Sequence, residues 1–201
     1  MTKLDRHMVI EAALELLDEV GMDGLSTRKL ADRLKVQQPA LYWHFPSKRA
    51  LLDALSEAIL LQRHDRSMPY PDEDWRSFLK ANAHSFRKAL LAYRDGARLH
   101  AGTRPRGAHS EAAEAQIRML SSAGFSPGRA VWALAAISHY VVGSALEQQS
   151  TQNGPATPPA IPAYPVSDLL QTAIQDLEGQ DPALAFDFGL ECLICGLAAK
   201  V

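Results

Sequence analysis

Between Thr27 and Phe45 the chain reads T-R-K-L-A-D-R-L-K-V-Q-Q-P-A-L-Y-W-H-F, which mixes side chains able to read base edges with others able to grip phosphates. A side-chain amide can bond adenine through two atoms at once, and a guanidinium can do the same to guanine. Gln38 and Arg28 are the candidates for these contacts. Pro39 and Ala40 carry no side-chain donor and suit a thymine methyl. Tyr42 and Lys48 suit phosphates, which fix register but carry no sequence information. Gln37, Trp43 and His44 share the same short outward surface, and Thr27 opens the segment before it. Consecutive Tyr, Trp, His and Phe on a basic segment favour contact with nucleic acid over burial, with Trp43 expected partly in the core.

Other residues invite chemistry less clearly. Cys192 and Cys195 read C-L-I-C, but the chain has only these two cysteines, flanked by apolar Phe188, Leu190, Leu193, Ile194 and Leu197. Buried, inert, reduced thiols are expected there rather than a redox or zinc pair. Any one of the seven histidines, taken singly, reads as a core or surface residue. Asn82 and Phe86, four apart, read as an ordinary helix pair. No G-x-S-x-G or H-E-x-x-H occurs. His100 and Glu147 could form an acid–base pair, but nothing supplies a nucleophile, so an enzyme is not expected.

The elements that must position these residues are helical throughout. Apolar residues at Val9, Ala12, Ala13, Leu16, Leu17 and Val20 keep the helical rhythm until Gly21 and Gly24 stop it. Ser26 and Thr27 offer an N-cap for a second helix through about Leu34. After a turn at Lys35–Gln37, Pro39 suits the first turn of a third helix ending near His44. Ala31 allows close crossing, and Leu30, Leu34, Val36 and Leu41 are expected to form the miniature core. This is the spacing of a helix-turn-helix, whose second helix fits the major groove. Further helices are expected at about Lys48–Arg63, Trp75–Ala92, Asp95–Gly102, Ala108–Ala123, Pro127–Gln149, Asp168–Leu177 and Pro182–Lys200, with a proline-rich surface loop at Ser150–Pro165.

Bulk properties agree with a globular chain of 201 residues, 47% hydrophobic and 22% charged, with a net charge of −2. The charge is unevenly placed. Leu25–Ala50 holds six basic residues (Arg28, Lys29, Arg33, Lys35, Lys48 and Arg49) against one acid, Asp32. Such a segment is an electrostatic footprint for phosphate. No signal peptide or membrane-spanning run is expected, which implies a cytoplasmic chain with no membrane partner. Val131–Leu146 and the last helix are apolar on nearly every side, and a homodimer with a four-helix bundle would bury both.

The run from Leu14 to Leu55, above all Q-Q-P-A-L-Y-W-H-F with K-R-A-L-L-D-A-L after it, resembles the tetracycline repressor family. The resemblance continues through Y-R-D-G-A-R-L-H-A-G-T-R-P (Tyr93–Pro105) and is weakest after Gln149. It implies an all-α fold: a three-helix DNA-binding domain over 1–47, and a ligand-binding and dimerisation domain over 48–201 with 48–63 as connecting helix. It also implies a repressor of double-stranded operator DNA that tetracycline releases as a magnesium chelate. The implied pocket residues are His64, Asn82, Phe86, His100, Thr103, Arg104, Pro105, Gln116 and Glu147. His100 is the implied direct Mg2+ ligand, with Thr103 and the partner subunit's Glu147 acting through water. One departure is Lys35, at a turn position where this family usually has glycine.

Overall fold

A computed structural model of the chain describes residues 4–103, 110–153, 167–179 and 181–199. Every regular element among them is an α-helix. The first is α1 (Arg6–Gly24), with Asp5 capping its start through the Met8 N–H. Gly21 kinks it with φ 69°, a conformation that side chains disfavour. Then come α2 (Thr27–Leu34), α3 (Gln38–Tyr42) and α4 (Lys48–Arg63), the last with the bounds expected from sequence. Ser26 alone caps α2, through the Lys29 N–H. Lys35 ends α2 in the left-handed region (φ 55°, ψ 40°). Where the resembled family usually has glycine, Lys35 thus holds a conformation that L-residues disfavour.

The core of this first unit differs in detail from the expected one. Leu30, Ala31, Leu41 and Phe45 are buried, while Leu34 and Val36 lie at the rim. Phe45 takes the inner place because the chain turns tightly after α3, with the Phe45 N–H bonded to the Leu41 carbonyl. Trp43 points the other way and is 90% exposed, so it takes no part in the core.

The second unit holds α5 (Trp75–Leu91), α6 (Gly96–Ala101), α7 (Ser110–Ser122), α8 (Pro127–Asn153), α9 (Asp168–Glu178) and α10 (Pro182–Ala198). Helix α8 packs against α5, α6, α7 and α10, and α4 packs against α1, α5 and α6. Helix α4 thus joins the two units. The long α8 runs four residues past the expected end at Gln149. The first proline is not met until Pro155, and Thr151 Oγ1 continues the helix by donating to the Glu147 carbonyl at 3.1 Å.

Two further expectations are corrected. Helix α8, over Pro127–Gln152, is long and apolar enough to cross a membrane by length and composition. Its apolarity serves helix packing: Ala130, Ala133, Ile137, Val141 and Ala145 are buried on one stripe. Cys192 and Cys195 are exposed in the protomer. Helix α10 turns Phe186, Leu190 and Ile194 inward at four-residue spacing, which leaves the cysteines outward with Leu184 and Phe188.

Candidate effector cavity and nucleic-acid interface

The connection from α5 to α6 is set by one buried amide. Gln149 of α8 donates to the Leu90 and Tyr93 carbonyls at 3.2 and 2.9 Å and accepts from the Ala97 N–H at 3.0 Å. Gly96 stands where any Cβ would lie 2.4 Å from the Leu90 carbonyl oxygen. These contacts fix the start of α6 and hence the position of His100. Sequence reading took Gln149 only as a helix end, because a buried glutamine carries no periodic signal.

Helices α4 to α8 line an open-sided cavity of about 490 Å³. His64 enters from the end of α4, Asn82 and Phe86 from α5, His100 from α6 and Gln116 from α7. Phe86 stands between the two imidazoles, with ring centroids 5.6 Å from His64 and 5.1 Å from His100. Leu60, Leu79, Ile117, Leu134 and Ile137 complete an apolar wall, with Ser67 and Ser138 as further polar groups. The α8 wall was expected only as a dimer surface. Its residues were legible as apolar, but which neighbour they meet was not.

The polar groups are held by defined partners. The Asn82 amide donates to the Arg66 carbonyl at 2.8 Å, and Gln116 donates to the Ser67 carbonyl at 2.6 Å. Ser85 donates to Asp65 at 2.7 Å, which holds the Asp65 carboxyl below the usual aspartate range. His100 Nδ1 lies 3.4 Å from the hydroxyl of buried Ser56 on α4. Ser56, Asp65 and Ser85 gave no sequence signal.

Not all expected residues converge. Thr103 is buried just beyond α6 and donates to the His100 carbonyl at 3.1 Å instead of lining the cavity. Glu147 lies further along α8, against a separate cavity of about 690 Å³ with Tyr140, Gln148 and Phe186. Arg104 and Pro105 lie outside the described residues. Among those residues no group of three or more His, Cys, Asp or Glu could hold a metal ion. A single imidazole cannot satisfy Mg2+, which prefers about six oxygens, several of them water. The donor set would fit that ion only if it arrived with oxygen ligands of its own, with one of the two cavity imidazoles, His64 or His100, adding a nitrogen.

On the other unit, Arg28, Gln37, Pro39, Tyr42, Trp43 and Lys48 are exposed, while Thr27, Gln38, Ala40 and His44 are half-buried. The Gln38 amide donates to Thr27 Oγ1 at 2.8 Å, so Thr27 orients Gln38 rather than capping α2. Lys48 donates to the Leu25 carbonyl at 2.7 Å, which leaves its other two protons to the outside. Arg6 braces the end of α3 by donating to the His44 carbonyl at 3.0 Å and lying over the Phe45 ring. The basic footprint is smaller than its residue count. Arg33 is turned onto Glu15 and Glu19 of α1, and Arg49 onto Asp53. The Arg33 pairing keeps the Glu19 carboxyl below its usual range.

An all-α chain with an exposed, basic helix-turn-helix at one end and a ligand-sized cavity at the other is a ligand-responsive DNA-binding regulator in its architecture. Comparison with known proteins narrows the class. The family model described as "Bacterial regulatory proteins, tetR family" matches residues 9–55, and "Tetracyclin repressor-like, C-terminal domain" matches residues 68–201. The chain is 61% identical to the class G tetracycline repressor of Vibrio anguillarum, with 98% of this chain and 94% of that protein covered. It is 56% identical to the class A repressor from transposon 1721 of Escherichia coli, with 100% and 93% covered. Among solved structures, TetR from Acinetobacter baumannii AYE superimposes with a TM-score of 0.84 at 60% identity, with 98% of each chain covered. TetR class A in complex with 5a,6-anhydrotetracycline and magnesium does so with 0.78 at 51% identity, with 98% and 99% covered. The chain belongs to the tetracycline repressor family of transcription regulators, which are not enzymes.

Proposed function

We propose that this chain works as a homodimeric cytoplasmic repressor that holds a two-fold operator and releases it when a tetracycline–magnesium chelate enters the cavity. The observation that carries the reading is the meeting of His64, Asn82, Phe86, His100 and Gln116, from four helices, around one cavity of about 490 Å³. A polycyclic drug offers a flat apolar body and a polar edge. Phe86 and the aliphatic wall suit the body, while His64, Asn82 and Gln116 suit the edge.

The chelate supplies the oxygen ligands that the protein lacks, and His100 gives it a nitrogen. Thr103 and Glu147 of the partner subunit act through water. The exposure of Glu147 on α8, away from its own His100, supports that trans arrangement. The exposed apolar side chains Trp132 on α8 and Leu184 and Phe188 on α10 support a dimer built on these helices. Leu169 and Leu170 on α9 are exposed too, and that helix packs on no other to a comparable extent among the described residues.

The reading head comprises Thr27, Arg28, Gln37, Gln38, Pro39, Ala40, Tyr42, Trp43, His44 and Lys48. Arg28 and Gln38 address bases, and Tyr42 and Lys48 address phosphates. The DNA-binding domain spans 1–47, and α4 carries it from the effector domain over 48–201. In the free protein two such heads stand about 34 Å apart, one turn of the duplex. His100 is linked to α4 through Ser56, and α6 packs on α4. A pull on His100 draws the Gly102–Thr103 end of α6 out of helical form, tilts α4 and separates the heads. The coupling is reciprocal: bound operator lowers affinity for the drug by the same factor.

The test is a fluorescence titration with tetracycline, with and without magnesium, run beside an operator gel shift. Tight binding only with magnesium, accompanied by release of DNA, is the expected result. Magnesium-independent binding would point to a different aromatic effector.

A further inference from the structure

Helix α3 has only five residues, and no side chain caps its start at Gln37. A helix that short is unstable by itself, so its place depends on what grips its two ends. Thr27 meets the first end through the Gln38 amide. The other end is met by Arg6, the first residue of α1, which lies thirty-eight positions before His44 in the chain.

Arg6 grips one peptide group and one ring. The peptide that joins His44 to Phe45 has its N–H on the Leu41 carbonyl at 2.9 Å and its carbonyl on the Arg6 guanidinium at 3.0 Å. Both polar atoms of that plane are engaged, so it cannot turn without breaking a bond. The His44 N–H reaches the Leu41 carbonyl as well, at 3.0 Å. The Arg6 guanidinium carbon lies 4.3 Å from the centroid of the Phe45 ring, which is buried in the small core. A cation is attracted to an aromatic face, and a planar guanidinium can stack there while donating sideways. Trp43, just before this junction, has helical backbone angles (φ −66°, ψ −28°) and is 90% exposed. A side chain with its tip in solvent takes its direction from the backbone that carries it.

We infer that Arg6 and Phe45 form a clamp that positions Trp43 and His44 on the operator, so that a residue of α1, outside the helix-turn-helix, sets base specificity at the far end of the reading head. The inference deepens the proposed reading head and rests on that reading. Arg6 acts here as a positioning residue and touches no base. The grip needs both the flat face and the sideways donors of a guanidinium. A lysine keeps the charge but cannot stack and donate in that geometry. That difference separates a clamp from a phosphate contact, for which charge is what counts.

The experiment uses the whole chain and an operator duplex that the parent selects from a random pool. Affinity for this duplex and for its single-base variants is read by fluorescence anisotropy over a range of salt. Arg6→Lys should bind the selected duplex about tenfold more weakly, the loss expected of one hydrogen bond to a charged group. Its salt dependence should match the parent's. It should lose discrimination at the base pairs that His44→Ala also relaxes and keep it at those relaxed by Arg28→Ala. The losses in Arg6→Lys and His44→Ala should not add, because the two changes undo the same contact. Phe45→Leu, which keeps an apolar side chain in the core, should repeat the pattern. Arg6→Lys discriminating as the parent does overturns the inference. So does an Arg6→Ala variant that weakens all sequences alike with a flatter salt dependence, since Arg6 would then serve a phosphate. Without DNA, the Arg6 Nε–H signal in proton–nitrogen spectra should be displaced by the Phe45 ring and return to the usual arginine position in Phe45→Leu; a signal already at that position in the parent also overturns the clamp. A parent that selects no duplex, or keeps its specificity in His44→Ala, instead overturns the reading of the head, while the arginine spectrum still decides the clamp.

Discussion

At the scale of single residues the proposed function assigns its two parts to His100 and Gln38, and neither stands alone. Ser56 stands beside the one and Thr27 orients the other, each through a hydroxyl. Replacing His100 with alanine removes the nitrogen that the proposed site gives the metal. Tetracycline affinity should fall steeply and lose most of its magnesium dependence, as read by fluorescence titration. Operator affinity without drug should stay within about twofold, because the reading head lies on another unit; a large loss there would mean His100 is structural. Gln38→Ala should cost about 1–3 kcal/mol and relax specificity at one base pair. Lys48→Ala should weaken binding to all sequences alike and flatten the salt dependence. Its bond to the Leu25 carbonyl adds a second effect, a small loss of thermal stability that a purely phosphate-facing lysine would not show.

Helix ends and junctions govern the scale of elements. Lys35 holds a left-handed conformation at the end of α2 at a cost of about 1 kcal/mol. Lys35→Gly should therefore raise stability in urea by about 0.5–1 kcal/mol, some of the gain being offset by the freer unfolded chain. A fall in the urea midpoint would show instead that the lysine side chain makes a stabilising contact. Gly96 is the opposite case. Its φ is ordinary, and the constraint is the Leu90 carbonyl 2.4 Å from where a Cβ would stand. Gly96→Ala should lower stability by about 1–3 kcal/mol, because backbone must move, and should misplace α6 with its histidine. Differential scanning calorimetry with an unchanged transition would refute this.

At the scale of the whole molecule, the proposed function has two chains complete each site. The exposed faces of α8 and α10 predict an obligate interface above about 2,000 Å² in total. Sedimentation at micromolar concentration should show dimer without monomer, and Phe188→Glu should release monomer. A mixed dimer with His100→Ala on one chain and Glu147→Ala on the other separates the two arrangements. With partner exchange of Glu147, one site keeps both groups and one has neither, so calorimetry should find one strong and one very weak site. Two equally weakened sites would mean that each chain supplies both groups itself.

The order and kind of the helices and the helix-turn-helix were legible in sequence because they depend on local rules: helical periodicity, capping hydroxyls, glycine and proline punctuation; the departure at Lys35 was legible through family resemblance. The cavity residues His64, Asn82, Phe86, His100 and Gln116 were legible only through family resemblance, since each alone is indistinguishable from an ordinary helix residue. Tertiary structure decided what depends on contacts distant in the chain. It put Phe45 rather than Leu34 and Val36 in the small core, turned Arg33 away from the DNA side onto Glu15 and Glu19, and left both cysteines outside. It made Gln149 the clamp on α6, and it set Ser85 behind His64 and Ser56 beside His100. Hydrogen-bond partners separated by some twenty to fifty residues leave no period to read. Their pairing exists only once packing has brought the helices together and burial has made an unmatched polar group costly.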